Sequence, residues 1–315
     1  MTPTVTVITA TYNWSSVLRY SIASVLGQTF QDFEHLVIGD GCTDDSAEVV
    51  AACGDPRVKW HNLPANSGSQ SIPNNTGISM ARGRYIAYLG HDDVWHPRHL
   101  EYLVAAMDAG AEFAHSLLVS YGAPGTGTLN IGGIYTPERR AKGTMPAPPS
   151  CIMHRRDLVE EIGGWREYRT IDSAPDTEFV GRWRDRSIVV VPHLTAFKFP
   201  SSKRKNSYVE KPSFEQAEML RRIREEPDFL ERELTHIVQL LVLNKTNVQI
   251  VAPEPKIKRK GWQVEQARAV RGLPPNELPP PTAGAYAEFA LNTLRSVIPM
   301  PLRRLWGNIR RAVGI

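Results

Sequence analysis

Arg84-Tyr85-Ile86-Ala87-Tyr88-Leu89-Gly90-His91-Asp92-Asp93 reads as a strand that runs straight into two adjacent carboxylates. Trp95, His96 and Pro97 follow, and a helical pattern begins at Arg98. In parallel α/β sheets ligands bind just outside the carboxyl ends of the strands. Two acids placed there can hold a hard divalent cation, which in turn holds phosphate. The plain alternative is a solvated turn in which Asp93 caps the next helix. The rest of the chain weighs between the two.

Upstream, residues 4–10 alternate and are rich in β-branched side chains, as a buried strand requires. Thr11-Tyr12-Asn13 ends that strand, and Leu18, Ile22, Val25 and Leu26 then recur at helical spacing. Phe33 to Ile38 predicts a second strand that closes on Gly39-Asp40-Gly41. Ser46 to Cys53 and Asn74 to Ala81 predict helices, with a short strand at Val58-Lys59-Trp60 between them. Strand–helix alternation of this kind predicts an α/β fold, a mostly parallel sheet with helices on both faces.

Downstream the rhythm changes. Strands are expected at Phe113 to Ser120, Cys151 to Met153 and Ser187 to Val191, and helices at Arg156 to Ile162 and Thr177 to Arg184. Gly163-Gly164-Trp165 breaks the first of these helices. Beyond 212 the pattern is helical, and Ser213-Phe214-Glu215-Gln216 matches a capping box. Residues 253–285 carry many prolines and the basic set Lys256, Lys258, Arg259 and Lys260, and read as a partly extended linker. In 286–315, Leu302, Leu305, Trp306 and Ile309 share one helical face, and Arg303, Arg304, Arg310 and Arg311 decorate the rest. That pattern fits peripheral membrane contact, or a helix docked on the protein itself or on a second subunit.

A chain of 315 residues can bury a full core. A net charge of +4 is too mild to argue for nucleic acid. Cys42, Cys53 and Cys151 lie far apart with no C-x-x-C pair, which disfavours a zinc site or a disulfide framework and fits a reducing compartment. No signal peptide is read at the N-terminus, and no run of eighteen apolar residues occurs. The expectation is a cytoplasmic protein, able to touch the inner face of the cell membrane through its tail, with oligomerisation left open.

Three ordered stretches resemble the inverting family-2 glycosyltransferases of GT-A fold. Val5 to Asn13 with Ser24 to Phe30 looks like the family's opening strand and helix. Val37 to Ser46 looks like its second strand and acidic turn, and Gly90-His91-Asp92-Asp93 sits where the family carries its metal-binding Asp-x-Asp. Ile162-Gly163-Gly164-Trp165 and Asp176-Thr177-Glu178-Phe179 resemble its acceptor-side motifs. The likeness covers roughly residues 4–200. It implies a catalytic domain over 1–211, with a nucleotide half to about 110 and an acceptor half beyond it. A helical extension at 212–252, the linker at 253–285 and the basic tail at 286–315 complete the chain.

The resemblance assigns roles. Ala10 and Tyr12 would wall the base pocket, and Asp40 would accept a hydrogen bond from the base or ribose. Asp92 would be the principal ligand of Mn²⁺ or Mg²⁺, with His91 or Asp93 assisting. Gly39 and Gly90 stand where the family often has acids. Asp176 would be the base that takes the acceptor's proton, with Glu178 the alternative two residues on. Lys203, in the stretch Lys198 to Asn206, could help to close over the diphosphate, with a solvated charge run as the plain alternative, and His154 could contact the diphosphate or acceptor. The donor would be a nucleotide-diphosphate sugar, most simply a UDP-sugar, and the acceptor a saccharide, a lipid-linked glycan or a small molecule.

Each role has a plainer counterpart. Asp40 could serve its own turn, Tyr12 the core, Asp176 a helix N-cap and His154 the interior. Among rival functions, a nucleotidyltransferase usually carries a Gly-rich, basic loop after its first strand, and Thr11-Tyr12-Asn13-Trp14-Ser15 is neither. No G-x-G-x-x-G follows that strand, which disfavours a dinucleotide oxidoreductase. A sugar-nucleotide binder without activity is the remaining alternative.

Overall fold

Strand β1 (Val5–Thr11) is buried over almost its whole length, as its β-branched run demands. In the computed structural model, which describes residues 2–126, 129–133, 147–242, 258–285 and 288, β1 lies between two parallel neighbours. These are β2 (Phe33–Gly39) and β4 (Tyr85–Tyr88); β3 (Val58–Asn62) adds parallel to β2 on the outside. Helices α1 (Ser15–Leu26), α2 (Ser46–Ala51) and α3 (Ser71–Met80) make the crossovers. Over this half the parallel sheet expected from the alternation is present.

Past β4 the sheet becomes mixed. Its order is β3-β2-β1-β4-β8-β6-β9-β5, with β7 beside β6. Here β5 is Val94–Trp95, β6 Phe113–Tyr121, β7 Leu129–Gly132, β8 Ile152–Arg155 and β9 Ile188–Lys198. β8 runs antiparallel to both β4 and β6, so it turns the parallel half into the second half. β9 runs parallel to β6 and extends seven residues past the expected end at Val191. Exposed Val189 and Val190, followed by Pro192, hide that length from a burial pattern.

Helices α4 (His99–Asp108), α5 (Val159–Ile162) and α6 (Pro175–Gly181) cover the second half. A core of Ile8, Tyr88, Phe113, Met153, Phe179 and Trp183 joins the two halves. Two further helices, α8 (Phe214–Glu225) and α9 (Phe229–Val242), follow the short α7 (Ser207–Glu210). They pack Met219, Leu220, Phe229 and Ile237 against Val94, Phe197 and Phe199.

Two expectations change here. Ser213 precedes α8, but its side chain makes no capping bond. Gln216, the box's fourth residue, instead donates from Nε2 to the Asp92 carbonyl at 3.0 Å. The segment 253–285, expected as an extended linker, contains helix α10 (Trp262–Arg271) over its described part. Gly261 and Gly272, both with φ near +79° and +78°, bound that helix. The prolines cluster outside it and do not oppose it. Apart from residue 288, the amphipathic tail lies outside the described residues. No helix among the described residues is long and apolar enough to cross a membrane.

Candidate active site

The ends of β1, β2, β4 and β9 converge with the start of α6 on one cavity of about 310 Å³. That is a volume ordinary for a small-molecule site. Ala10, Tyr12, Asp40, His91, Asp92 and Asp176 line it, so six of the expected residues meet there. Asp93, His154 and Lys203 do not line it, and each has a physical reason.

Asp93 is fully buried and spent on structure. Lys198 Nζ donates to its Oδ2 at 2.9 Å, the Phe199 amide donates to Oδ1 at 3.0 Å, and Ser150 Oγ donates to Oδ2. Burial and the neighbouring Asp92 charge push its pKa up. Nor does it cap a helix, because α4 begins after Arg98. His154 is fully buried on β8, with Nε2 2.9 Å from Tyr88 Oη and its ring 4.8 Å from that of Trp183. It is an interior histidine, and burial holds its pKa down to about 4. Lys203 ends a short turn at 201–203 whose other two residues, Ser201 and Ser202, line the cavity while Lys203 does not. The basic run splits by function: Lys198 faces the cavity, while Arg204 is buried against Glu215 at 2.7 Å and the Gly122 carbonyl at 2.9 Å.

Asp92 is the carboxylate the cavity keeps. The Ser201 amide donates to its Oδ2 at 3.0 Å. Burial alone would raise its pKa, but His91, Lys198, Arg271 and that amide outweigh burial and hold it below the usual range. His91 has both ring nitrogens engaged, Nδ1 with Thr11 Oγ1 at 2.8 Å and Nε2 with Tyr208 Oη at 3.1 Å. Burial keeps its pKa below the ordinary histidine value. Among the described residues no three of His, Cys, Asp and Glu gather as a ligand set. The residues present fit a cation held by Asp92 and by the ligand's own oxygens, not one caged by protein. Gly90 belongs to this arrangement: a Cβ there would meet Asp93 Oδ2 at 2.8 Å and Asp92 Oδ1 at 3.1 Å. A third acid at that position would crowd the two already present.

Asp40 directly follows β2 and binds the loop opposite. Its Oδ1 accepts from the Ser67 amide at 2.9 Å and its Oδ2 from Asn66 Nδ2 at 3.0 Å. Burial pushes its pKa up. Tyr12 stacks on Tyr208 at 6.2 Å, at the cavity wall and not in the core.

Asp176 lies in the first turn of α6, after the N-cap Ala174 and Pro175, so it is not the cap. One turn on, Phe179 stacks on Trp165 at 4.5 Å and meets Tyr88 of β4 edge-on at 6.2 Å, which pins this turn to the sheet. Glu178 turns the other way, into Arg182 at 3.1 Å and Arg166 at 3.0 Å. Arg182 also binds the carbonyls of Gly163 at 2.8 Å and Gly164 at 2.6 Å, which fixes the glycine turn. Among the cavity residues not singled out from sequence are Lys198, Tyr208, Arg268 and Arg271. The composition of 198–205 signalled cationic character, but nothing local distinguished Lys198 from its neighbours.

Residues 6–163 match the family model for Glycosyl transferase family 2, half of the chain. The chain belongs to that family. It is 35% identical over 127 residues to poly(ribitol-phosphate) beta-N-acetylglucosaminyltransferase TarP of Staphylococcus aureus (strain N315), covering 39% of this chain and 38% of TarP. It is 38% identical over 113 residues to succinoglycan biosynthesis protein ExoO of Rhizobium meliloti (strain 1021), covering 36% of this chain and 32% of ExoO. The match thus spans about a third of the length of these relatives. In fold it is similar to S. aureus TarS 1–349 in complex with UDP-GlcNAc, with a TM-score of 0.51 at 18% identity, covering 75% of this chain and 72% of that one.

Proposed function

We propose that this member of glycosyl transferase family 2 moves a sugar from a nucleoside-diphosphate donor to an acceptor hydroxyl, with inversion at the anomeric carbon. The observation that carries this reading is one cavity walled by Asp40, Asp92, Lys198 and Asp176 at the carboxyl ends of the strands. A UDP-sugar donor is supported by the UDP-GlcNAc bound to the similarly folded TarS and by the sugar in TarP's name.

In this reading Asp40, braced by Asn66 and Ser67, accepts a hydrogen bond from the base, and Tyr12 walls the pocket. Asp92 is the residue that would hold Mn²⁺ or Mg²⁺, and a cation bound there neutralises charge on the departing diphosphate. Lys198, kept charged by Asp93 and Asp92 against the cost of burial, adds a fixed positive charge facing the same space. Asp176 receives the proton of the acceptor hydroxyl as its oxygen attacks the anomeric carbon from the face opposite the leaving group. The acceptor is a saccharide, a lipid-linked glycan or a small molecule.

The test is incubation with UDP-GlcNAc and other UDP-sugars, with Mn²⁺ and a panel of acceptors. Release of UDP is followed, and the product's anomeric configuration is read by NMR. Inverted product supports the reading; retained configuration overturns the single displacement. No UDP release from any donor overturns the UDP-sugar assignment.

A further inference from the structure

Helix α10 comes from the segment whose composition suggested a linker, yet it lines the cavity through Gln263, Val264, Ala267, Arg268 and Arg271. Gly261 N donates to the Ile171 carbonyl at 3.1 Å, and Asn206 N donates to the Val270 carbonyl at 2.8 Å. The helix thereby bridges the loop before α6 and the loop before α7. Beyond it, Asn276 Nδ2 donates to Tyr168 Oη at 2.8 Å. The C-terminal end is built for close approach. Gly272 has φ +78°, and a Cβ there would meet Val209 Cγ2 at 2.8 Å. Val209 is the neighbour of Tyr208, so this contact sets Arg271 beside Tyr208.

Three cationic side chains line the cavity, and two are committed. Lys198 pairs with Asp93 at 2.9 Å. Arg268 donates from Nη2 to the Pro274 carbonyl at 2.8 Å. Arg271 differs: its Nε is buried and has no hydrogen-bond partner among the described residues. A buried donor without an acceptor is costly and marks the place for one. Its guanidinium carbon lies 5.7 Å from the centre of the Tyr208 ring, and Tyr208 Oη is 3.1 Å from His91 Nε2. Arg271 therefore stands at the His91–Asp92 end of the cavity. A guanidinium presents paired donors that match phosphate oxygens.

We propose that α10 is the closing wall of the donor site and that Arg271 hydrogen-bonds the diphosphate of the bound nucleotide sugar. This rests on the nucleotide-sugar reading above. Titration calorimetry on the full chain tests it, with UDP, UMP and uridine, each with Mn²⁺. Arg271→Gln is expected to weaken UDP binding by about ten-fold or more, the scale of a charge-assisted bond, and to leave uridine binding within about two-fold. Arg271→Lys, which keeps the charge and loses the fork, should fall between. Unchanged uridine binding also shows that the variant is folded. UDP affinity within about two-fold of the parent in Arg271→Gln overturns the proposal alone. Equal loss of UDP and uridine overturns it too, because the residue then merely supports the fold. If the parent binds none of UDP, ADP, GDP, CDP or TDP, the nucleotide-sugar reading falls and this proposal falls with it.

Discussion

Lys198 Nζ lies 2.9 Å from Asp93 Oδ2, and this pair divides the labour of two adjacent acids. Asp93 and Asp92 are both buried, and two neighbouring carboxylates cannot both be charged there without a cation close by. Lys198 arrives on the end of β9 and supplies it. Asp93 thus becomes an internal brace between β9 and the loop after β4, and Asp92 is left facing the cavity.

Lys198→Met should leave Asp93 buried and unpaired and lower stability by roughly 3–5 kcal/mol. Adding Asp93→Asn to that variant should recover most of the loss. Urea unfolding of the four proteins in a double-mutant cycle measures the coupling. Effects that add to within about 0.5 kcal/mol would show that the two residues are not a pair.

Asp92→Ala should fold normally, since its carboxylate faces the cavity and accepts there from the Ser201 amide. Nucleotide binding should lose its dependence on Mn²⁺. Calorimetry of UDP with Mn²⁺ and with EDTA reads this directly, and an unchanged metal-dependent increment in the variant rejects Asp92 as the metal ligand.

Asp176→Asn should abolish transfer by roughly 10²–10⁴-fold while donor binding and melting temperature hold. Glu178→Gln has a different expected signature. Glu178 is tied to Arg182 and Arg166, so its loss should loosen the Gly163-Gly164 turn and lower the melting temperature, with transfer surviving. The reverse outcome, a dead Glu178→Gln beside an active Asp176→Asn, would move the base by two residues.

Acid should destabilise the protein early. Burial holds His35 and His99 down to about 3, and His115 and His154 down to about 4. In the unfolded chain a histidine titrates near 6.5, so the unfolded state binds more protons below that pH. The stabilisation is complete above about pH 6.5 and is lost as pH falls toward the folded values. Each such group contributes about 1.4 kcal/mol per pH unit in that window. Urea midpoints from pH 7.5 to 4.5 should fall steeply, and the slope should be shallower in His154→Phe. A flat profile across that range contradicts the assignment.

Local grammar carried the first half of the site. Asp40, Asp92 and Tyr12 stand at strand ends that are flagged by their own neighbours, a β-branched run before and a turn after. Asp176 was legible for a similar reason, because Pro175 marks the start of a helix. Lys198, Tyr208 and Arg271 carry no such flag. They reach the cavity from β9, α7 and α10 by tertiary packing, which one-dimensional spacing does not encode. Lys203 was singled out because a charge run looks uniform in sequence; only the fold separates Lys198 at the cavity from Arg204 in the core. His154 illustrates the same limit, since a ring sealed by Tyr88 and Trp183 reads in sequence like one at a surface. The proline content around α10 masked a helix whose two bounding glycines were visible.

The position of α10 also orders events during synthesis. Domains form from the N-terminus as the chain emerges. Every strand of the sheet, with Asp40, Asp92 and Asp176, has been made once β9 is complete, and α8 and α9 then cover Val94, Phe197 and Phe199. The cavity, however, lacks a wall until Trp262–Arg271 has been made and has folded back onto Asn206 and Ile171. A growing chain therefore gains its sheet and covering helices before its cavity is walled, and a ribosome stalled ahead of α10 would display a folded protein with an open cleft.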